Sequence, residues 1–179
     1  MDLPYIPIVE TRGFTATNGN SGIIAKAPKG AFLGGLALLE FKAQTRLRVR
    51  YAETDQMGIV YHSNYFIWFE VGRSELFREL NLPYTRFEEQ GLGLAVIEAS
   101  CRYRLPARYD DEVIITTHVK ISSRKVTFSY LVYRESTLLV EGKTIHVFVN
   151  KQGRAVDARS HVLWQQIQAH SAGRVREDA

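Results

Sequence analysis

Alternation of apolar and polar residues predicts a first β-strand over residues 45–51, TRLRVRY. Leu47, Val49 and Tyr51 would share one face of this strand, and three arginines would occupy the other. This period of two is typical of a strand with one buried face. The chain therefore enters its first regular element near residue 45.

A long helix is predicted next, because residues 63–81 carry their apolar side chains at helical spacing. Ser63 or Asn64 can cap its start, and Asn81 followed by Pro83 ends it. Its apolar stripe is so aromatic that more than one side must be buried, and it contains Tyr65, Phe66, Phe69, Gly72, Leu76, Phe77 and Leu80. Glycine in the middle of this stripe lowers helix propensity, so we expect another part of the chain to cross closely there.

Four more alternating segments predict four strands in the second half of the chain, at 97–105, 113–121, 126–132 and 145–149. The connection SSRK and the turn NKQGR are too short for crossover helices, so the strands must be antiparallel. A short helix over HVLWQQIQAH would close the chain. We predict an α+β fold in which one strand, one long helix and a meander of about four strands form a sheet curled around the helix.

The predicted domain boundaries follow from a change in composition and hydrophobic periodicity along the chain. Residues 1–43 are rich in Gly, Asn and Thr and show no sustained period, which predicts a partly flexible N-terminal extension. Residues 44–170 would form the folded domain, and residues 171–179 a C-terminal tail. A length of 179 residues suits one core, not two.

Charge and cysteine usage narrow the partners and the compartment. The 23 basic and 19 acidic residues are interspersed, which argues against a nucleic-acid partner, although a net charge of +4 suits a phosphate-bearing ligand. A single cysteine, Cys101, forms no intramolecular disulfide and favours a reducing compartment, the cytoplasm. The longest apolar run, residues 31–39, is about half a membrane span, so we expect no stable membrane insertion.

The candidate chemistry centres on Asp55, which follows the first strand. The helix N-terminus arrives seven or eight residues later, and its free N–H groups can stabilise a developing negative charge. The alternative is that Asp55 merely shapes the turn TDQMG. The residues alone do not decide between these interpretations.

Other reactive side chains compete weakly for a catalytic role. Cys101 falls on the apolar face of a predicted strand, as a small buried thiol would. His118 and His146 match no zinc spacing and are interpreted as hydrogen-bonded polar residues. His62 differs because it stands at the helix entry, where its side chain or its backbone N–H can act.

Residues 51–79, YAETDQMGIVYHSNYFIWFEVGRSELFRE, closely resemble a known signature. It is that of hotdog-fold acyl-CoA thioesterases of the 4-hydroxybenzoyl-CoA thioesterase type, which include small bacterial thioesterases associated with the Tol–Pal system. The resemblance extends over residues 45–165, and its pattern Asp-x-x-Gly-x-Val-Tyr-His-x-Asn-Tyr is specific. Residues 1–43 have no counterpart in a typical member.

The resemblance implies a fold, an assembly and a set of roles. The long helix would be wrapped by the sheet, and two subunits would pair their sheets edge to edge, often doubling again to a homotetramer. Asp55 matches the catalytic carboxylate, and the backbone N–H of His62 matches the donor that polarises the thioester carbonyl. No metal or cofactor is implied. The expected substrate contacts are Tyr51, Gly58, Val60, Tyr61, Ser123, Arg124 and Lys125, of which the last three would bind the phosphates of coenzyme A.

Several alternatives stay open at this stage. Asp55 would act as a nucleophile or as a general base in hydrolysing a CoA thioester. The same fold also serves as a non-catalytic module that binds acyl-CoA or acyl carrier protein. SSRK can be an ordinary polar turn. The aromatic residues near the helix can line an acyl pocket or fill the core, and we favour the core: Tyr61, Tyr65, Phe66, Trp68 and Phe69.

Overall fold

Five antiparallel strands and one long helix dominate the part of the chain that the computed structural model describes, residues 38–173. The strands are β1 (Leu39–Arg48), β2 (Leu92–Tyr103), β3 (Glu112–Ile121), β4 (Lys125–Arg134) and β5 (Thr137–Asn150). The helices are α1 (Asn64–Glu79), α2 (Tyr84–Glu89) and α3 (Val162–Gly173), with 3₁₀ turns at Tyr51–Glu53 and Ala158–Ser160. None of these helices is both long and apolar enough to cross a membrane.

The sheet order is β1-β3-β4-β5-β2, which confirms the predicted five-stranded antiparallel sheet and corrects its connectivity. Strands β3, β4 and β5 form consecutive hairpins as predicted. Strand β2, however, pairs with β5 and not with β3. The predicted four-strand meander is wrong for β2, because alternation reports that a segment is a strand and carries no information on its partner.

Helix α1 packs its aromatic stripe onto the sheet, as the sequence predicted. Phe69 stacks on Tyr130 of β4 with ring centroids 4.4 Å apart, and both side chains are buried. A Cβ added at Gly72 would lie 2.5 Å from Oγ1 of Thr117. The expected close crossing is thus confirmed, and the neighbours are side chains of β3.

The predicted start of the folded domain at residue 44 is too late. Strand β1 begins at Leu39, and Phe41 within it is 2% exposed and pairs with Val119. The alternation of this segment is masked in sequence by the apolar run that precedes it. The rest of the predicted extension, residues 1–37, and residues 174–179 of the predicted tail lie outside the described residues, whereas residues 171–173 belong to α3.

In two strands, β5 and β2, the buried residues are not the alternating apolar residues that the sequence predicted. In β5 the buried side chains include His146 and Phe148, while Val147 and Val149 are half-buried. In β2 a register shift after Val96 marks a β-bulge at Ile97, which is 60% exposed. A bulge turns the residues on its two sides out of simple alternation. Cys101, expected to be buried, is half-buried on this edge strand.

Candidate active site

The loop that carries Asp55 is a tight, internally bonded turn between the first 3₁₀ turn and α1. The Asp55 N–H donates to the Ile59 carbonyl, and the Gly58 N–H donates to the Asp55 carbonyl, both at 2.9 Å. Gly58 has φ +70°, a left-handed conformation that favours glycine. A bridge between Thr54 and Val60 closes the loop. Asp55 is therefore held on a fixed backbone.

The carboxylate of Asp55 uses one of its oxygens in this turn. Oδ1 accepts a hydrogen bond of 2.8 Å from the Met57 N–H, the arrangement expected of a turn-forming acid. Oδ2 accepts no hydrogen bond from residues 38–173, and the side chain is half-buried. One oxygen is oriented by the loop, and the other is available to a substrate or a water molecule.

The N-terminus of α1 presents a second available group, the backbone N–H of His62. Two nearby N–H groups are already used: the Tyr61 N–H donates to the Glu53 carbonyl at 2.9 Å, and the Asn64 N–H donates to the Tyr61 carbonyl at 3.0 Å. The His62 N–H makes no hydrogen bond within the described chain. An unpaired N–H at the positive end of a 16-residue helix is a suitable donor to an oxyanion.

The predicted capping of α1 is wrong. Ser63 occupies the N-cap position without a side-chain cap bond. Asn64 instead reaches back, and its Nδ2 donates to the Glu53 carbonyl at 2.7 Å. The first turn is thus tied to the preceding loop by a side chain, and the His62 N–H just before it is not used by a cap.

Glu53 is a buried carboxylate that the sequence reasoning missed. It is 5% exposed and accepts hydrogen bonds from the Arg50 N–H at 2.7 Å and from Trp68 Nε1 at 3.1 Å. Burial alone would raise the pKa of Glu53, but these bonds and the Arg50 guanidinium lower it below its usual value. Glu53 joins the loop to α1. The sequence does contain one sign of this role, because Glu53 is a second acid only two residues before Asp55 in a segment of apolar and turn-forming residues.

Tyr103, at the end of β2, holds the other side of the helix entry. Its hydroxyl donates to the His62 carbonyl at 3.0 Å, and its ring meets that of Tyr65 edge to face at 5.4 Å. Burial and the neighbouring Cys101 thiol raise the pKa of Tyr103 well above its usual range. The hydroxyl therefore stays protonated and keeps donating at neutral pH.

The remaining residues predicted around the thioester occupy different environments. Tyr51 is 78% exposed and contacts Tyr109, while Tyr61 is 48% exposed, with its ring 4.3 Å from that of His62. Val60 is 4% exposed, and its N–H donates to the Ala107 carbonyl, so its side chain belongs to the core. The core interpretation holds for the buried side chains of Tyr65, Trp68 and Phe69, whereas Phe66 is half-buried and Tyr61 is exposed.

The predicted phosphate contacts lie far from Asp55 within one chain. Ser123, Arg124 and Lys125 form the hairpin after β3, whereas the Asp55 loop follows β1. In the ladder of these two strands Arg48 pairs with Glu112, the start of β3, so the hairpin is at the opposite end, roughly 30 Å away along the strands. The sequence could not report this separation.

The hairpin itself is partly committed to other contacts. Ser123 is 1% exposed, and Arg124 Nε donates to Asp157 Oδ2 at 3.0 Å. Hydrogen bonds from Arg159 and then from Arg124 hold the pKa of Asp157 well below its usual range. Lys125 is exposed and forms no ion pair among residues 38–173.

Close to Asp55, by contrast, lies an arginine that the sequence reasoning did not select: Arg108 Nη1 donates to the Gly58 carbonyl at 3.4 Å.

Comparisons with known proteins agree on one family. The family model of the thioesterase-like superfamily matches residues 49–167. A putative esterase of Aquifex aeolicus is 39% identical over 119 residues, which cover 66% of this chain and 92% of that protein. A putative acyl-CoA thioesterase of Bacillus subtilis, YneP, is 34% identical over 112 residues, covering 62% and 81%.

Solved structures extend this agreement to the fold. The crystal structure of a DHNA-CoA thioesterase from Staphylococcus aureus superimposes with a TM-score of 0.68 at 26% identity, covering 77% of this chain and 95% of that one. The five-stranded sheet and the helix α1 described above match such a hotdog arrangement. The chain belongs to the thioesterase-like superfamily and has the hotdog fold.

Proposed function

We propose that this protein hydrolyses acyl-CoA thioesters, with Asp55 as the catalytic carboxylate and the His62 N–H as the donor to the carbonyl oxygen. The observation that carries the proposal is that two groups on the same internally hydrogen-bonded loop are available to a substrate. These are Asp55 Oδ2 and the His62 N–H, and neither is hydrogen-bonded within the described chain. The thioesterase relatives support the reaction class.

The reaction needs no further group than these two. A donor placed at the developing oxyanion lowers the barrier by about 3–4 kcal/mol. In the general-base route, Asp55 takes a proton from water, the water oxygen bonds to the carbonyl carbon, and the C–S bond breaks to release the CoA thiolate, which is then protonated. In the nucleophilic route, Oδ2 bonds to the carbonyl carbon and the C–S bond breaks to release the CoA thiolate. Water then cleaves the resulting anhydride, which yields the acid and restores the Asp55 carboxylate, and a proton from that water ends on the CoA thiol.

The direct test is thiol release from CoA esters by the purified full chain. Short, medium, long and aromatic acyl groups should be compared, because the acyl specificity decides which metabolic thioester the enzyme acts on. Release of CoA from at least one class supports the proposal. A folded protein that binds CoA esters and releases none would be the non-catalytic binding module.

We also propose that Ser123, Arg124 and Lys125 contact the CoA phosphates of a thioester bound to another subunit, since they are remote from Asp55 in their own chain. Replacing Arg124 and Lys125 with Ala should raise KM severalfold, and the effect should shrink at high salt as the charge attraction is screened. The matched control is Lys151→Ala with Arg154→Ala, an equal charge loss in the exposed turn after β5. An equal KM change in both variants would return the hairpin to the role of an ordinary turn.

A homodimer that pairs two β2 edges, and doubles to a homotetramer, completes the proposal. Strand β2 is an outer strand of the sheet, and it and the residues just after it expose apolar side chains: Val96 53%, Ile97 60%, Tyr103 46% and Leu105 47%. An open apolar edge is a surface that soluble proteins normally cover. A cytoplasmic location is part of the same proposal and rests on the single, unpaired Cys101.

Replacing Ile97 and Leu105 with Lys should break this assembly, because the twofold would bring like charges together. Light scattering should then report the 20.4 kDa monomer in place of a two- or fourfold mass. Val162→Lys, an equally exposed apolar position on α3, is the control and should leave the mass unchanged. A monomeric wild-type protein at micromolar concentration would contradict the assembly.

A further inference from the structure

A cavity of about 120 Å³ lies beside the second half of α1, away from Asp55. Its wall combines three apolar or aromatic side chains with four that carry polar or charged groups: Phe77, Tyr84, Leu94, Glu70, Arg73, Ser74 and His146. The proposed hydrolysis uses none of these residues. Such a mixture of apolar wall and a few polar groups is typical of a site that orients a small ligand.

His146 is the most unusual group in this wall. It is 2% exposed, and its Nε2 lies 2.9 Å from Thr144 Oγ1, which is in turn 3.0 Å from the Tyr130 hydroxyl. Its Nδ1 is buried and has no partner within residues 38–173 at hydrogen-bond distance and angle, although the main chain of Leu94 lies close enough to the ring to act on its pKa. Burial, and then the charge of Arg73, lower the pKa of His146 to about 4, although the main chain of Leu94 opposes this shift. The ring is therefore neutral at neutral pH.

Arg73 and Glu70 balance each other at the cavity. Arg73 Nη2 lies 3.3 Å from Glu70 Oε2, and the side chains are 22% and 66% exposed. A second carboxylate brought into the cavity would compete with Glu70 for the same guanidinium. An uncharged polar group would instead add to the pair without disturbing it.

A row of β2 side chains, not fully buried within one subunit, runs between this cavity and the candidate active site. Val96, Ala99 and Cys101 of β2 pair with His146, Thr144 and Gly142, so they share the sheet face on which α1 packs. Val96 and Ala99 are nevertheless exposed, and Cys101 is half-buried. At one end of this row Tyr103 contacts His62, and at the other end lies the cavity, about 14 Å farther along α1 from Asn64 to Arg73.

Tyr130, Thr144 and His146 form a row of hydrogen-bonded groups, and the positions of their protons indicate which ligand group the cavity accepts. Thr144 has one hydroxyl proton and donates either to Tyr130 or to His146, which leaves Nδ1 as a donor in one arrangement and an acceptor in the other. A hydroxyl group satisfies both arrangements because it donates and accepts. A carboxylate satisfies only one, and a methyl group satisfies neither.

We propose that this cavity binds the far end of the acyl group and selects extended acyl chains that carry a hydroxyl there. The inference rests on the proposed thioesterase function and names its substrate class. The thioester would lie between Asp55 and the His62 N–H, the acyl chain would follow this row of β2 side chains, and the hydroxyl would meet His146 and Arg73. A single aromatic ring attached to the thioester would be too short to reach them.

The test compares saturated acyl-CoA esters from hexanoyl to tetradecanoyl with their ω-hydroxy counterparts, in wild type and in Arg73→Met. The ratio of kcat/KM values, hydroxylated over plain, should exceed one for the chain length that reaches the cavity and fall about tenfold in the variant. Arg78→Met is the matched control, because Arg78 is an exposed arginine of α1 outside the cavity. Its ratio should stay at the wild-type value.

A second variant, His146→Leu, keeps the test independent of how Arg73→Met folds. It should raise kcat/KM for the plain ester and lower it for the hydroxylated one. Equal kcat/KM values for both esters in the wild type, or a ratio unchanged in both variants, would overturn the inference. Failure of the proposed function is distinct, because then the wild type hydrolyses neither ester.

Discussion

Replacing Asp55 with Asn is expected to lower kcat by about 10²- to 10⁴-fold, the usual effect of losing a catalytic carboxylate. Asn keeps the oxygen that accepts the Met57 N–H, so the loop should stay in place. The charge and the basicity at Oδ2 are what the substitution removes. Thermal unfolding and binding of a non-hydrolysable CoA ester should be close to wild type, which steady-state and binding measurements together would establish.

Two controls separate this role from that of a turn-forming acid. Asp110→Asn makes the same chemical change in an exposed turn, at φ +66°, which Asn adopts readily, and should leave kcat within about twofold of wild type. Asp55→Ala also removes the Oδ1 contact and should cost about 1 kcal/mol of stability. An Asp55→Asn enzyme with nearly full activity would make Asp55 structural.

The nucleophile and the general base differ in where oxygen from solvent goes. In a single turnover in ¹⁸O-water, direct attack by Asp55 followed by attack of water on the Asp55 carbonyl of the anhydride labels the carboxylate of the enzyme. Label in Asp55 therefore identifies the nucleophilic route. General-base catalysis delivers the label to the acid product in that same turnover. Mass spectrometry of the peptide containing Asp55 and of the released acid distinguishes the two routes.

Gly142→Ala is expected to lower the free energy of unfolding by about 3 kcal/mol, the upper part of the range for overpacking a filled core. A Cβ at this position of β5 would lie 2.2 Å from a ring carbon of Phe69. That ring is fully buried and stacked on Tyr130, so it has no room to withdraw. Chemical denaturation followed by circular dichroism measures the loss.

A double-mutant cycle identifies the Phe69 ring as the cause. Phe69→Leu makes a smaller side chain at the point of the clash, and on its own it should cost stability because it leaves a cavity. Combined with Gly142→Ala it should cost clearly less than the sum of the two single changes. Strict additivity would mean that the new methyl group clashes elsewhere.

The sequence was sufficient for the elements whose period is uninterrupted. Helix α1 lies where its aromatic stripe predicted it, and β3 and β4 follow their alternation, whereas only the end of β5 was predicted and its buried residues do not alternate as expected. Strand β2 was misplaced because alternation identifies a strand without identifying its partner, and β2 pairs with β5. The short helix α2 was missed, since six residues carry too little periodicity to recognise.

The candidate site divides in the same way. Asp55 and the helix entry are eight residues apart or fewer, and both belong to one loop closed by local hydrogen bonds. Glu53 and Tyr103 act through contacts with Trp68 and His62, and Tyr103 comes from a strand about 40 residues later. The charge of Arg124 suggested a substrate contact, whereas its distance from Asp55, at the far end of β3, is known only from the structure. The sequence shows which side chains can take part in a reaction, but the distances between residues that are far apart in sequence follow only from the sheet topology.

The hydrogen bond from Tyr103 to the His62 carbonyl has a consequence for the whole assembly. Tyr103 is the last residue of the free edge strand and also the support of the turn that presents the His62 N–H. Pairing of two such edges would stiffen that support, and separation would loosen it. The specific activity of the enzyme would then depend on its own concentration, so that dilution alone would lower kcat.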